Sequence, residues 1–525
     1  MKAYVLIDVS QKQEYIFKNT KLKDNLYNSA IIKAVTEKIP DQYSNEKIPI
    51  PITLSGQLKK MRVSNVPIYS GGGNSIIEFD SENTAEKFVR GYSLEVIKAY
   101  PDLELYISTV SEEGLNFENF QELRRELDKK LDEIKDKRKS RFRRWTYGIE
   151  KINQVGKAQE VKFNQPQSDE ENEQSREQYS WARDFLACRL RRKINDQVKI
   201  TNELQDYKFD ESKKSYIGVI SIDGNKMGEM VNKLSDYKSH QQFSRAIDSI
   251  YLKAVAKAVN DHATEELLHI TPIVLAGDDI CLITPAEKAI PIAKQIIENI
   301  HKSQDDNQED YATLQKVLRQ NEPLTACGGV AIVKVTYPFF DAVKKAESLC
   351  KNSKELLYRN VSPNGTEEGV QSASFIDWEI TQGQVISEEG FETYVKHRNE
   401  EANFHIKPLR IDQMLHYQEG TFSYQAFEKM IDKISCQIRE GKISNSTLEQ
   451  IKKHMYYGWQ EYQLFFDKKQ TKAAQLVIAM VDELFKEHQV NTTYGTIHDP
   501  ETNTYTYILN DVLETLPFFL QKEGV

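Results

Sequence analysis

One order of elements occurs twice along this chain. Residues 3–9 read as a short buried strand. A helical stretch follows, with apolar residues at Tyr15, Ile16, Leu22, Leu26, Ala30 and Ile31. Residues 67–79 read as two strands around the turn Gly71-Gly72-Gly73-Asn74, a hairpin. A helix over 82–99 and a strand over 103–109 close the unit. The order then returns: a strand from Tyr216 to Asp223, a helix over 241–262, a hairpin over 271–283, a helix over 286–302, a strand from Ala326 to Val335 and a helix over 338–357. Asp8 precedes Gly73 by 65 residues, and Asp223 precedes Asp278 by 55. A duplicated β-α-β-β-α-β unit is the ferredoxin-like arrangement. The expected class is therefore α/β (α+β), with two ferredoxin-like domains.

The regions between and after the units set the remaining boundaries. A Glu- and Lys-rich helix is expected over about 115–145, ending in the basic run 135–144. The polar, acidic segment Asn164–Glu177 reads as a disordered linker. A helix over about 178–198 carries Arg189, Arg191, Arg192 and Lys193. After Ile380 the pattern is mostly helical, with short strands near 494–508 and His498-Asp499 read as a turn. The expected domains are 1–112, a helical insert over 113–212, 213–380, and a helical C-terminal domain over 381–525.

Composition narrows the class. In 525 residues, 39% are hydrophobic and 28% charged, the balance of a folded globular chain. The net charge of −9 gives no bulk attraction to nucleic acid. The five cysteines, Cys188, Cys281, Cys327, Cys350 and Cys436, form no C-x-x-C pair. That argues against a disulfide framework and a structural zinc, and for a reduced, cytoplasmic protein. No apolar run is long enough to span a membrane. The N-terminal apolar residues meet Asp8 too early for a signal peptide.

The chemistry concentrates in the second unit. Asp223 ends a strand, and Asp278-Asp279 sit at the tip of the hairpin that pairs beside it. Any one of these acids alone is an ordinary turn or cap residue. Together they converge, and a cluster of carboxylates calls for a hard cation, Mg²⁺ or Mn²⁺. The turn Gly224-Asn225-Lys226-Met227-Gly228 enters a helix, with backbone N–H groups suited to phosphate. Ala276 and Gly277 flank the acidic pair. Lys354 is a candidate contact for a triphosphate, although a solvated helix lysine has the same appearance.

These residues resemble the palm domain of the large subunit of type III CRISPR effector complexes, a relative of GGDEF and nucleotidyl cyclases. That family shows an Asp-Gly-Asp-x-Met-Gly-like turn where this chain has Asp223 to Gly228, and Gly-Gly-Asp-Asp where it has Ala276-Gly277-Asp278-Asp279. Leu324 to Ile332, Tyr337-Pro338, Ala346-Glu347 and Ser372 to Trp378 resemble the segments that follow. Ile7-Asp8-Val9-Ser10, Gln13 to Phe17 and Leu26-Tyr27-Asn28-Ser29 resemble the family's first palm. There Gly71, Gly72, Gly73 and Asn74 replace the acidic turn. The resemblance implies a catalytically silent first palm whose glycines and Ser29 help position one nucleotide. It covers about residues 1–380. Asn225 stands where the family has an Asp, Ala276 where it has a Gly, and the zinc cysteines between the palms are missing. With the chain starting at the first palm, the expected form lacks an HD nuclease domain.

The resemblance implies an enzyme that joins ATP into cyclic oligonucleotides, oligoadenylates first among them, for antiviral defence. Asp223, Asp278 and Asp279 would hold Mg²⁺ or Mn²⁺. Residues 224–228, Ala276, Gly277 and Lys354, with 71–74 and Ser29, would bind nucleotide. Two other readings stay open. One is an assembly subunit contacting guide or target RNA and other effector subunits through the basic stretches at 135–144 and 189–193. The other is a compact enzyme acting outside an RNA-guided complex. The partners expected are ATP or another NTP and no membrane; base, ring size and oligomeric state are left open.

Overall fold

The structure is a computed structural model that describes residues 2–19, 21–37, 50–63, 69–112, 120–138, 151–152, 158–159, 169–207, 215–234, 236–263, 267–303, 309–318, 323–359, 373–381, 402–412, 417–418, 420–468, 472–486 and 490–520. The first unit contains β1 (Ala3–Val9), α1 (Lys12–Ile16), α2 (Leu22–Thr36), α3 (Leu54–Lys60), β2 (Tyr69–Gly71), β3 (Asn74–Phe79), α4 (Glu82–Ala99) and β4 (Leu105–Ser111). Its sheet runs β2-β3-β1-β4, antiparallel throughout. That is the ferredoxin-like order. Side chains alternate across it. Val5, Ile7 and Val9 face α2 and α4, while Tyr4 and Leu6 face α5 (Phe120–Arg138) through Phe120, Leu123, Leu127 and Leu131.

Past α5, the basic run continues beyond Arg138 into residues outside the description. Two short strands, β5 (Lys151–Ile152) and β6 (Ala158–Gln159), pair with each other. The acidic stretch expected to be disordered differs: α6 spans Asp169–Ala187, and only 164–168 of that stretch lie outside the described residues. Glu, Gln and Arg favour helix, and the C-terminal half is anchored. Tyr179 donates to Asp24 Oδ1 at 2.5 Å, and Ala182, Phe185 and Leu186 are buried. The helix ends at Ala187, so Arg189 to Lys193 lie in turns instead of on a helix.

The second unit follows β7 (Val198–Ile200). It comprises β8 (Tyr216–Gly224), α7 (Met227–Asn232), α8 (Tyr237–Asp261), β9 (Leu268–Ala276), β10 (Asp279–Pro285), α9 (Ala286–Lys302), α10 (Glu309–Leu318), β11 (Ala326–Lys334), α11 (Phe339–Arg359) and β12 (Phe375–Ile380). The order β11-β8-β10-β9 repeats the first sheet; β12 and then Leu409–Arg410 extend one edge, and β7 the other. Asp236 caps α8, its Oδ1 accepting from Ser239 N at 2.9 Å. Ile220, Ile222, Ile280 and Leu282 pack on α8 and α9. Ile217, Val219, Cys281 and Ile283 join one core with α11 and the first unit. The two units therefore share a hydrophobic interior.

The C-terminal region holds helices over 424–439, 445–456, 459–468, 472–486 and 509–520. A hairpin is formed by Thr496–Asp499 and Thr504–Tyr507. His498 thus lies on a strand, and Asp499 opens the turn by accepting from Glu501 N at 2.9 Å. Buried Asp511 ties this region to the sheet, accepting from Ile406 N at 2.7 Å and His405 Nδ1 at 2.8 Å and pairing with Lys407 at 3.2 Å. The five cysteines are unpaired. Among the described residues no helix is long and apolar enough to cross a membrane.

One glycine sets how closely α11 approaches the second sheet, and a second, Gly228, makes a contrast. A Cβ at Gly329 would lie 2.1 Å from Ala346 O and 2.3 Å from Cys350 N, both backbone atoms of α11. Backbone cannot rotate away as a side chain does. Gly329→Ala is expected to cost about 3 kcal/mol or more, by overpacking. Gly228 has open space around it, so Gly228→Ala, inside α7, leaves the melting temperature level or slightly higher. Thermal unfolding of the two variants checks both.

Candidate active site

The antiparallel register brings the acids together. Ile222 on β8 faces Ile280 on β10, so the next step places Asp223 opposite Asp279, with Cys327 of β11 on its other side. Gly277, at φ +66°, turns the chain between β9 and β10 and leaves Asp278 at the tip. Its N–H donates to Asp248 Oδ1 of α8 at 3.3 Å, and Asp248 pairs with Arg189.

The electrostatics are those of crowded like charges. Burial, then the charge of Asp223, pushes Asp278 up to about 6. The same causes, with Asp278 added, push Asp279 up to about 7. Asp279 is exposed to solvent on its outer side, and the upward push comes from the protein atoms packed around the hairpin tip and from its acidic neighbours. Lys354 answers part of the charge: its ammonium donates to Asp223 Oδ2 at 2.6 Å and to Gly224 O at 2.8 Å. Burial works to lower the Lys354 pKa, and Asp223 more than offsets it, leaving the group raised. One lysine does not balance three carboxylates, and oxygen donors that repel one another suit a hard divalent cation. Asp223, Asp278 and Asp279 are the oxygen donors that would hold such a cation; among the described residues, the group whose ligand atoms all lie within 4.8 Å of one another is a different one, His405, Asp511 and Glu514.

The other expected residues divide. Ala276 ends β9, paired with Asp279. Lys226 takes a left-handed φ of 56° and opens α7, so the amides of Lys226, Met227 and Gly228 lie at that helix's start. Gly224 is required by crowding: a Cβ there would lie 2.6 Å from Met227 Cε and Tyr251 Oη and 2.9 Å from Asp278 Cβ. Asn225 has a different place from the one expected. It is buried, and its amide donates to Thr325 Oγ1 and Ala373 O, each at 3.1 Å. It braces the turn, because an amide turned inward there satisfies groups between strands. Ser29 likewise is buried, donating to Ile273 O of β9 at 2.8 Å. Its hydroxyl ties the two units together and is spent on that bond.

The first unit holds the same frame without the acids. Asp8 faces Asn74, the register position of Asp279, and Gly71, Gly72 and Gly73 occupy the places of Ala276, Gly277 and Asp278. Gly72 and Gly73 have φ of +61° and +78°. Lys12 crosses Gly73, where a Cβ would meet Lys12 Cε at 2.8 Å, and donates to Gly72 O. Asp8 is neutralised within the protein, by Lys135 at 2.9 Å and Lys12 at 3.8 Å.

Sequence reasoning missed three neighbours of the site. Tyr251 of α8 is fully buried beneath Gly224, and burial with the charges of Asp278 and Asp223 holds its phenol protonated. Asp248 fixes the Gly277 amide. Glu347 stands close enough to Asp279 to feel its charge; burial first, and that charge second, push its carboxyl up to about 7. A signal existed for Glu347: it precedes Lys354 by seven residues, two helical turns on the same face.

The raised acids fix a sign. Folded Asp278 and Asp279 keep protons at pH values where the same groups in the unfolded chain have lost them. Without a divalent cation, stability therefore falls as pH rises from about 4 through about 7. A bound cation needs the ionised forms, so Mg²⁺ is expected to raise the melting temperature more at about pH 8 than at about pH 5.5. Asp278→Asn/Asp279→Asn should flatten both trends in calorimetry.

Comparison with known proteins agrees with this geometry. Residues 216–361 match the family model described as Cas10/Cmr2, second palm domain. Among solved structures, the Csm1-Csm4 cassette with pppApApA matches at a TM-score of 0.53 and 12% identity, covering 99% of this chain and 69% of that one. The cassette with one ATP matches at 0.52 and 12%, with 99% and 69% covered. The cassette with AMPPNP matches at 0.50 and 11%, with 99% and 70% covered. No curated protein matches in sequence. Residues 216–361 thus resemble a second palm domain of Cas10/Cmr2, in a chain whose fold is similar to that found in the Csm1-Csm4 cassette.

Proposed function

We propose that this chain is a metal-dependent nucleotidyltransferase that joins ATP through attack of a 3′-hydroxyl on an α-phosphate, with loss of pyrophosphate, and closes the product into a cyclic oligoadenylate. The observation that carries this is the convergence of Asp223, Asp278 and Asp279 at the end of β8 and β10, with their mutual charge left under-compensated by Lys354. Mg²⁺ or Mn²⁺ held there supplies charge neutralisation at phosphate and lowers the pKa of a bound hydroxyl.

The protein's own groups do the rest. The amides of Lys226 to Gly228 and the Lys354 ammonium bind triphosphate oxygens. Asp248 holds the hairpin tip rigid through the Gly277 amide, which keeps Asp278 and Asp279 in register with Asp223. Preorganised groups of this kind act by positioning and by electrostatics. The turn at Gly72 in the first unit has open space around it, room that a second nucleotide would use. Solved Csm1-Csm4 cassettes contain pppApApA or ATP, which supports adenine as the base and a Csm4-like subunit as partner.

A second reading is an assembly subunit of an RNA-guided effector complex. Exposed Arg189, Arg191, Arg192 and Lys193, clustered past α6, favour an RNA or subunit contact.

The deciding measurement is product analysis by mass spectrometry after incubation with each NTP and Mg²⁺ or Mn²⁺, alone and then with partner subunits and target RNA. Oligoadenylate made by the parent, and reduced at least about a hundredfold in Asp278→Ala/Asp279→Ala, is expected. No product under any of these conditions leaves only the assembly role.

A further inference from the structure

Helix α8 turns one face toward the acidic cluster. Asp248 and Tyr251 are three residues apart and share that face. Asp248 accepts from the Gly277 amide at 3.3 Å. Tyr251 reaches beneath the opposing turn: the point that a Gly224 Cβ would take lies 2.6 Å from Tyr251 Oη and 2.9 Å from Asp278 Cβ. Phenol oxygen and acid thus border one point, within reach of each other by rotation of the Asp278 carboxyl about its own bonds.

The phenol itself is unsatisfied. Tyr251 is 1% exposed, yet among the described residues its hydroxyl has no hydrogen-bond partner. A buried hydroxyl left in that way is unfavourable and calls for a reason. Of the buried phenols so placed, Tyr251 is the one that borders the acidic cluster. The neighbouring acceptors are already divided: Lys354 donates to Asp223 Oδ2 and to Gly224 O, at 2.6 and 2.8 Å. Asp278 is the acid beside Tyr251 that this ammonium does not bond. Among the described residues, the oxygens of the three acids do not all lie within 4.8 Å of one another. Holding one ion therefore takes side-chain rotation, and a fixed donor decides where a rotating carboxylate stops.

We infer that Tyr251 is a positioning residue of the proposed cation site: its hydroxyl donates to the Asp278 carboxylate as Asp278 turns to hold an ion, which fixes that side chain's rotamer and satisfies the phenol. The inference deepens the nucleotidyltransferase reading and rests on it for the cation. Outer partners of metal-binding carboxylates act in this way, orienting the groups that touch the ion. One face of α8 then holds the hairpin tip twice, by its backbone through Asp248 and by its first acid through Tyr251.

The test is Mn²⁺ titration of the full chain, read from the electron paramagnetic resonance signal of free Mn²⁺ at about pH 8, where the acids ionise. Tyr251→Phe removes one oxygen and keeps the ring that packs in the core. It is expected to weaken Mn²⁺ binding about tenfold. Its melting temperature without divalent cation should stay level or rise, because the hydroxyl has no partner to lose. A hydroxyl of merely structural use gives the reverse, a lower melting temperature and unchanged Mn²⁺ affinity, and that result overturns the proposal. A second readout is the nuclear magnetic resonance of protein labelled with ¹³C at tyrosine Cζ, the Tyr251 line being assigned by its absence in Tyr251→Phe. That line should move when Mg²⁺ is added to the parent and stay in place in Asp278→Asn; equal movement in both overturns the pairing with Asp278. Asp278→Asn/Asp279→Asn separates the two failures. If that variant loses Mn²⁺ while Tyr251→Phe does not, the cation site stands and only the role of Tyr251 falls. If it binds Mn²⁺ like the parent, the cation site itself falls, and this proposal with it.

Discussion

The pairing of β8 with β10 is the constraint on which the rest depends. A strand pair has a period of two, so a slip of one residue would turn Asp223 and Asp279 to opposite faces. The correct register brings them side by side with Asp278 and leaves like charges partly desolvated, which is unfavourable on its own. Packing holds them there regardless. Ile220, Ile222, Ile280 and Leu282 lock one face onto α8 and α9, while Ile217, Val219, Cys281 and Ile283 lock the other onto α11 and the first unit. Asp248 then fixes the turn from outside.

The two palms show what this frame does with and without unbalanced charge. In the first, one acid remains. Asp8 meets two ammonium groups, from Lys12 on its own helix and Lys135 on α5, and the turn opposite it is glycine and asparagine. The charges close on themselves. In the second, three acids share one direct ammonium contact, from Lys354, and the charge of Lys12 is also felt at Asp279. The same strand order therefore yields a structural ion pair in one unit and, in the other, the under-compensated acids of the proposed cation site.

The duplicated topology was legible because it is written locally. Strand and helix periods, the glycine turns and the acid at each first-strand end follow from runs of ten to thirty residues. The convergence of Asp223 with Asp278-Asp279 followed from the ferredoxin-like order alone. Burial was not legible. Nothing in Leu26-Tyr27-Asn28-Ser29 says that Ser29 points at Ile273, 244 residues away. Asn225, read as a loop residue facing phosphate, turns inward because Thr325 and Ala373 need its amide. The acidic stretch from Asp169 is helical because its far end finds aromatic and ionic partners on the first unit, a tertiary effect that composition does not carry. Glu347 had a local signal, its spacing from Lys354, but its partner Gln13 is 334 residues distant.

The shared core explains how one palm can lose its acids without losing its shape. The α11 side of the second sheet is apolar, and the first unit covers it, through α2, Phe17 and Ser29. Uncovered, that face would expose Ile217, Val219, Ile283 and their neighbours, a cost far above what any surface turn contributes. The turn at Gly71–Asn74 carries no such load. Its residues answer only to backbone geometry and to Lys12, so acids can be absent there while the strands, helices and interface remain. Retention of the first palm therefore follows from packing alone. What packing alone does not require is a polar bond at the rim of that interface, between Gln13 and Glu347. An apolar seam would have closed as well with a leucine at Gln13. The amide placed there satisfies Glu347, which otherwise would stand half-desolvated next to Asp279 with its own charge opposed.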